Sequence, residues 1–151
     1  MSDKLFTENL MGILFTATPF LVFCGIPVIV HDRALEITTG ISDLPCGCVI
    51  TFYGKSRIVV NRKATADMDV LMAIVGHEFG HLTLGHHRGK ADPTQEIRRR
   101  NGEDAAVKME LDADRVAAEI NLPGILKCLR MLHAAVGSKE LSIRIRALEN
   151  I

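Results

Sequence analysis

Two histidines, His77 and His81, are four positions apart, and Glu78 directly follows the first. On an α-helix this spacing places both imidazoles on one face, one turn apart. Each ring can offer a nitrogen to the same Zn²⁺ at roughly 2.0–2.1 Å. Glu78 then lies beside the ion, where a carboxylate can take a proton from a zinc-bound water. The spacing predicts a catalytic site with one Zn²⁺ per chain and Glu78 as its general base.

The residues around this motif have the pattern of a buried helix. The run from Val70 to Leu84 is apolar almost all round. Thr65 can cap a helix that begins at Ala66, and Gly85 is a natural stop. Histidines and a glutamate in such a helix are costly unless something binds them. The alternative is that both histidines are core side chains satisfied by their neighbours.

A second helical pattern, about Glu103 to Ile120, contributes acidic side chains. A catalytic zinc needs three protein ligands and an open position for water. We expect Glu110 to be the third ligand. Asp114, one turn later, is expected to accept the other ring N–H of His77 and so fix its tautomer. The alternative for both carboxylates is a solvated acidic helix face.

The combination HExxH followed by ExxxD resembles the gluzincin metallopeptidases. The stretches from Gly76 to His86 and from Glu110 to Ala118 look like the HtpX/CaaX-prenyl-protease family of zinc endopeptidases. The family's typical C-terminal Arg-Ile-x-x-Leu is matched from Arg144 to Leu148. The resemblance covers roughly residues 70 to 148, and it implies a minimal zincin-like domain.

Carried over by residue, the resemblance implies that Arg144 anchors the substrate or stabilises charge. It also implies the same ligands and general base as the spacing does. The family's usual His-Pro pair before that arginine is replaced here by Ser138-Lys139. If that histidine stabilises the oxyanion, another side chain must do so in this chain. The candidates are His86, His87, His133 and Tyr53.

The ImmA/IrrE regulatory proteases are a second family that the chain resembles. The stretch from Ser56 to Asn61 looks like their strand before the HExxH helix. Ala117-Ala118, with Leu122-Pro123 beyond, also resembles their ending. Both families imply the same metal site and the same type of reaction.

The N-terminal part contains a long apolar segment, since no residue from Asn9 to Val30 is charged. Residues 10–30 are enough to span a bilayer, but two glycines and two prolines interrupt them. We therefore favour a buried helix, roughly Asp3 to Phe15, and a strand, Ile26 to His31. A membrane anchor is the alternative to a cytoplasmic protein.

The remaining elements complete an α+β fold in a single domain, residues 1–151. Strands are expected at Val49–Phe52 and Arg57–Val60, and helices from Pro123 to Gly137 and from Ser138 to Leu148. A small N-terminal sheet would then pack on a mostly helical body with the HExxH helix at its centre. The charged stretch from Arg88 to Asp104 is expected to be a solvated, mobile loop.

Charge and cysteine content narrow the function classes. The formal net charge is zero, so nothing indicates strong attraction to nucleic acid. Arg98 to Arg100 is the only basic run. We expect the four cysteines to be reduced thiols, although Cys46 and Cys48 could join a second metal site.

The sequence predicts a zinc-dependent endopeptidase whose partner is a protein or peptide substrate. One alternative is a regulatory or binding protein that keeps the fold with little hydrolysis, which the missing His-Pro pair motivates. The other is a nucleic-acid-associated metalloprotein that depends on Arg98–Arg100.

Overall fold

The computed structural model describes residues 3–40, 43–86 and 93–151, which form an α+β fold as expected. A short 3₁₀ turn, Arg62–Ala66, precedes the third helix. The other elements, in chain order, are α1 (Asp3–Thr16), β1 (Leu21–Phe23), β2 (Ile26–Val30), α2 (Asp32–Thr39), β3 (Gly47–Phe52), β4 (Lys55–Val60), α3 (Met68–Thr83), α4 (Pro93–Asn101), α5 (Glu103–Val136) and α6 (Lys139–Glu149).

The four strands form one mixed sheet in the order β1-β2-β4-β3. β2 and β4 run parallel, while β1 pairs antiparallel with β2 and β3 antiparallel with β4. The three expected strands are present, and β1 and α2 are additional. β2 ends one residue earlier than expected because His31 caps α2, its Nδ1 accepting from the Ala34 amide at 3.0 Å.

The N-terminal apolar segment is divided into a helix and strands, as favoured. Leu14 of α1 is fully buried and packs with Ile29 and Val59 of the sheet, whereas Ile13 is exposed. Only one face of the helix is therefore covered. Among residues 3–40, 43–86 and 93–151, no helix combines the length and apolar character needed to cross a bilayer.

Helix α3 is the centre of the molecule, with the sheet on one side and α5 on the other. Its buried side chains share one core with strands β2 and β4 and with α5 and α6, including Val28, Ile58, Leu71, Val75, Ile125, Leu129 and Leu148. Two glycines let α3 and α5 approach closely. A Cβ at Gly80 would lie 2.9 Å from the Ala113 carbonyl oxygen, and one at Gly76 3.1 Å from Ala117 Cα.

The start of α3 differs from the prediction. The helix begins at Met68, and its cap is Asp67, whose carboxylate accepts from the amides of Asp69 at 2.9 Å and Val70 at 3.3 Å. Thr65 donates its hydroxyl to the Arg62 carbonyl within the 3₁₀ turn. The predicted cap at Thr65 is therefore wrong, because an acidic residue two positions later bonds the free amides instead.

The predicted loop from Arg88 to Asp104 is also wrong over residues 93–101, which form α4. Glu96 pairs with Arg99 and Arg100 at helical spacing, with Glu96 Oε1 2.7 Å from Arg100 Nε. Such pairs stabilise a helix whose composition alone resembles a loop. The rest of the expected loop before Pro93 lies outside the described residues.

Helix α5 contains the two predicted helices, joined at a kink. Asn121 has extended backbone angles, φ −158° and ψ 90°, and its side chain caps the second half by accepting from the Gly124 amide at 3.0 Å. Pro123 follows the kink, and the helix ends at Val136, with Gly137 as its C-cap in a left-handed conformation, φ 68°. Ser138 caps α6 as predicted.

Candidate metal centre

Three side chains from two helices converge on one point. The Nε2 atoms of His77 and His81 are 3.1 Å apart. The Glu110 carboxylate lies 3.0 Å from His77 Nε2 and 3.5 Å from His81 Nε2. Donors that are 2.0–2.1 Å from a tetrahedral zinc lie about 3.3 Å from one another. The triangle is therefore the right size for three ligands of one ion.

Within the described part of the chain, this is the one cluster of three or more His, Cys, Asp or Glu side chains close enough to hold a metal. Its ligand atoms all lie within 4.8 Å of one another. His81 is buried, and the His77 and Glu110 side chains are 14% and 13% exposed. The sheltered position matters because a low dielectric strengthens the attraction between these groups and a cation.

The close packing of α3 on α5 explains the convergence. His77 and His81 are one turn apart on α3, and Gly80 between them leaves room for Ala113 of α5. Glu110 is one turn before that contact on α5. A larger residue at Gly80 would push α5 away and separate the carboxylate from both imidazoles.

Asp114 contacts the ring nitrogen of His77 that does not point at Glu110 and His81. Its Oδ1 lies 2.8 Å from His77 Nδ1, and its Oδ2 accepts from Arg144 Nε at 2.6 Å. Arg144 Nη2 also donates to Oδ1 at 2.8 Å, so the ion pair is bidentate. An ionised carboxylate can only accept, so His77 donates to Asp114 through its Nδ1–H. Nε2 is therefore the nitrogen that would bind a metal, once it carries no proton.

These contacts shift the pKa values of Glu110, Asp114 and His77. Burial opposes ionisation of Glu110 and Asp114, yet the pKa of each is lowered. Hydrogen bonds from His77 and His81 outweigh burial at Glu110, and those from Arg144 and His77 outweigh it at Asp114. Burial also disfavours a charged His77, but Asp114 and Glu110 raise its pKa to about 10. The point between these groups therefore favours positive charge.

Glu78 directly follows His77 in sequence and is not part of the ligand cluster of His77, His81 and Glu110. Burial raises the pKa of its carboxyl, and His77 and His81 oppose the shift. A raised pKa brings a carboxylate closer to the range in which it exchanges protons near neutrality. Both candidate ligand histidines therefore act electrostatically on the Glu78 carboxyl.

The charge of Glu78 affects the pKa values of two cysteines, Cys46 and Cys48, around the start of β3. Burial raises the pKa of the Cys46 thiol and raises that of Cys48 to about 12, with Glu78 adding to both shifts. All four cysteines are free thiols, as predicted. In the described segments, no cysteine belongs to a group that could hold a second metal.

Sequence reasoning missed two contacts of the ligand cluster. Thr94 of α4 donates its hydroxyl to Glu110 Oε1. His86, expected only as a candidate for stabilising the oxyanion, has its Nδ1 2.8 Å from His81 Nδ1. A histidine shortly after the end of the helix was a usable signal for the second contact. Nothing marked Thr94, because its helix was predicted to be a loop.

Other predicted residues have different partners. Tyr53 is 89% exposed at the β3–β4 turn, and His133 Nε2 lies 3.0 Å from Ser142 Oγ. His87 lies outside the described residues. Arg144 is buried and donates hydrogen bonds to the carboxylates of Asp114 and Glu140.

The basic run at Arg98–Arg100 is paired with acidic side chains. Arg98 lies 3.1 Å from Glu140 and 2.8 Å from Glu103, while Arg99 and Arg100 contact Glu96. These pairs neutralise much of the positive charge that binding to a nucleic-acid phosphate backbone would require.

A scan against protein-family models finds no match, and searches of curated proteins and of solved structures find none either. The likeness to gluzincins is therefore a likeness of motif residues.

Proposed function

We propose that this protein is a zinc-dependent endopeptidase that hydrolyses peptide bonds of a protein or peptide substrate. The observation that carries the proposal is the triangle formed by His77 Nε2, His81 Nε2 and the Glu110 carboxylate. Glu78 directly follows His77, and both histidines act electrostatically on its carboxyl. Three protein ligands and an open fourth position distinguish catalytic zinc sites from structural ones, which are closed.

The donor set fits zinc. Two imidazole nitrogens and one carboxylate oxygen suit Zn²⁺ better than Mg²⁺ or Ca²⁺, which prefer oxygen ligands. When bound, the ion supplies a water of lowered pKa and a polarised substrate carbonyl. The remaining roles belong to side chains of this chain.

As the water oxygen bonds to the substrate's carbonyl carbon, Glu78 accepts a proton from that water and passes it to the leaving amine. The peptide C–N bond breaks, and the products are a carboxylic acid and an amine. Asp114 keeps His77 in the tautomer whose Nε2 faces the metal. Arg144 neutralises and orients Asp114 through two hydrogen bonds. We therefore assign Arg144 a positioning role. Direct contact between Arg144 and substrate remains a prediction of the resemblance.

The test compares zinc-loaded wild type with Glu78→Gln on a mixture of unstructured proteins, with cleavage products identified by mass spectrometry. Glu78→Gln should still bind one zinc and lose about 10²- to 10⁴-fold in turnover, the usual size of general-base catalysis. Glu119→Gln, an exposed change on α5, is the matched control and should cleave like wild type. Undiminished cleavage by Glu78→Gln would overturn the assignment.

A second candidate is a regulatory or binding protein that holds zinc with little hydrolysis. It is favoured by the partners of the side chains expected to stabilise an oxyanion, since Tyr53 is exposed and His133 contacts Ser142. A wild type that binds zinc and a hydroxamate probe but cleaves nothing in the mixture would support it.

We also propose that the protein acts in the cytoplasm. Four free cysteines are consistent with a reducing compartment. Disulfide formation in protein isolated from cells without reductant would contradict this location.

A further inference from the structure

His86 follows the end of α3, and its ring faces His81. The His86 amide donates to the His81 carbonyl at 2.9 Å. Gly85, with a φ of 72°, turns the chain back in a conformation that favours glycine. The two rings then lie with centroids 5.1 Å apart and Nδ1 atoms 2.8 Å apart. The backbone of this turn, and not the side chain alone, directs His86 at His81.

The contact couples the positions of the hydrogens on the two rings. Two nitrogens 2.8 Å apart must share one hydrogen, so one of them donates and the other accepts. His81 directs Nε2 at the ligand cluster, 3.1 Å from His77 Nε2. When Nε2 of a neutral imidazole binds a metal, the ring hydrogen is on Nδ1. His86 must then accept through Nδ1 and carry its own hydrogen on Nε2.

We propose that His86 is the positioning residue of His81, whose Nδ1–H donates to the unprotonated Nδ1 of His86. The inference rests on the proposed zinc function, because the metal determines which nitrogen of His81 carries the hydrogen. It gives each ligand histidine its own support, Asp114 for His77 and His86 for His81. Partners of this kind fix the ring orientation and tautomer of a ligand.

The first test measures Zn²⁺ affinity by competition with a chromophoric chelator. His86→Ala should weaken binding about 10- to 100-fold, the usual effect of losing such a partner. His86→Asn, whose side-chain oxygen can accept in place of Nδ1, should recover a large part of the loss. Leu84→Ala, a change at a 46% exposed side chain of the same turn, is the matched control and should stay within about twofold of wild type.

The second test reads the tautomers directly and does not depend on turnover. In zinc-loaded wild type, long-range ¹⁵N–¹H NMR should show hydrogen on Nδ1 of His81 and on Nε2 of His86. Metal-free thermal unfolding of each variant controls for loss of the fold.

The outcomes separate the two proposals. Wild type that binds one zinc while His86→Ala binds equally well, or a hydrogen on Nδ1 of His86 in the spectrum, overturns the role of His86 and leaves the zinc site intact. Wild type that binds no zinc overturns the proposed function itself, and with it the role of His86.

Discussion

The two candidate histidine ligands are supported by different parts of the molecule. His77 is held by Asp114, which is fully buried between α3, α5 and α6 and is neutralised by Arg144. His81 is held by His86, a neighbour in sequence on the turn that follows α3. One support exists only after distant helices have packed, while the other forms locally.

The contacts of His77 depend on the packing of distant helices, whereas the contact of His81 with His86 depends on one local turn. Asp114 and Arg144 contribute a buried ion pair, whose disruption leaves an unpaired charge in the core. His86 lies on the turn after α3 and is only partly buried. Changes on the His77 side should therefore reduce stability and metal binding together. Changes on the His81 side should reduce metal binding with little effect on stability.

The largest expected effect is that of Arg144→Met. The variant keeps the apolar stem and leaves Asp114 buried without its cation, so the free energy of unfolding should fall by about 3–5 kcal/mol. The matched control is Arg130→Met, which breaks an exposed 2.8 Å pair with Glu149 and should cost about 0–1 kcal/mol. Urea unfolding measures both. Equal losses in the two variants would contradict the buried role of Arg144.

The next largest expected effect is a loss of folding stability at low pH. In the metal-free protein the pKa of Asp114 is lowered by Arg144 and His77, against the effect of burial. The folded state therefore binds fewer protons than the unfolded state, whose Asp pKa is about 3.9. The stabilisation is complete above that pH and is lost as the pH falls through the lower, folded pKa.

We expect the unfolding free energy of metal-free wild type to fall below about pH 3.9 by up to 1.4 kcal/mol per pH unit for this carboxyl. Asp114→Asn should be less stable near neutral pH, and its unfolding free energy should lack this part of the slope. Urea titrations at several pH values in EDTA provide the measurement. The same acid slope in both proteins would show that Asp114 has no lowered pKa.

The smallest expected effect is that of Thr94→Val. It removes the hydroxyl that donates to Glu110 Oε1 and keeps the side-chain volume, so zinc affinity should fall by about tenfold at most. Thr65→Val, which loses only a hydroxyl bond to the Arg62 carbonyl, should bind zinc like wild type. Chelator competition measures both variants. Tighter binding by Thr94→Val would mean that this hydroxyl competes with the metal for the carboxylate.

The parts of the site that were predictable depend on local spacing. The HExxH helix follows from one stretch of sequence, because two ligands one turn apart need only the helix that carries them. The pairing of Glu110 and Asp114 with that helix required one further idea, that a catalytic zinc needs a third protein ligand and a ligand histidine a hydrogen-bond partner. Both carboxylates do lie against His77.

The parts that were not predictable depend on contacts between distant elements. Thr94 reaches Glu110 only because α4 packs against α5, and the charged sequence of α4 carries no apolar stripe to indicate it. β1 is three residues long and is visible only through its pairing with β2. The start of α3 was misplaced because two capping residues, Thr65 and Asp67, stand close together and only the structure shows which one bonds the free amides.

The most direct measurement of the central claim is anomalous diffraction at the zinc edge from crystals grown with one equivalent of Zn²⁺. The account predicts one strong peak per chain at about 2.0–2.2 Å from His77 Nε2, His81 Nε2 and a Glu110 oxygen. A peak elsewhere, or zinc bound by the two histidines with the Glu110 carboxylate turned away, would contradict it.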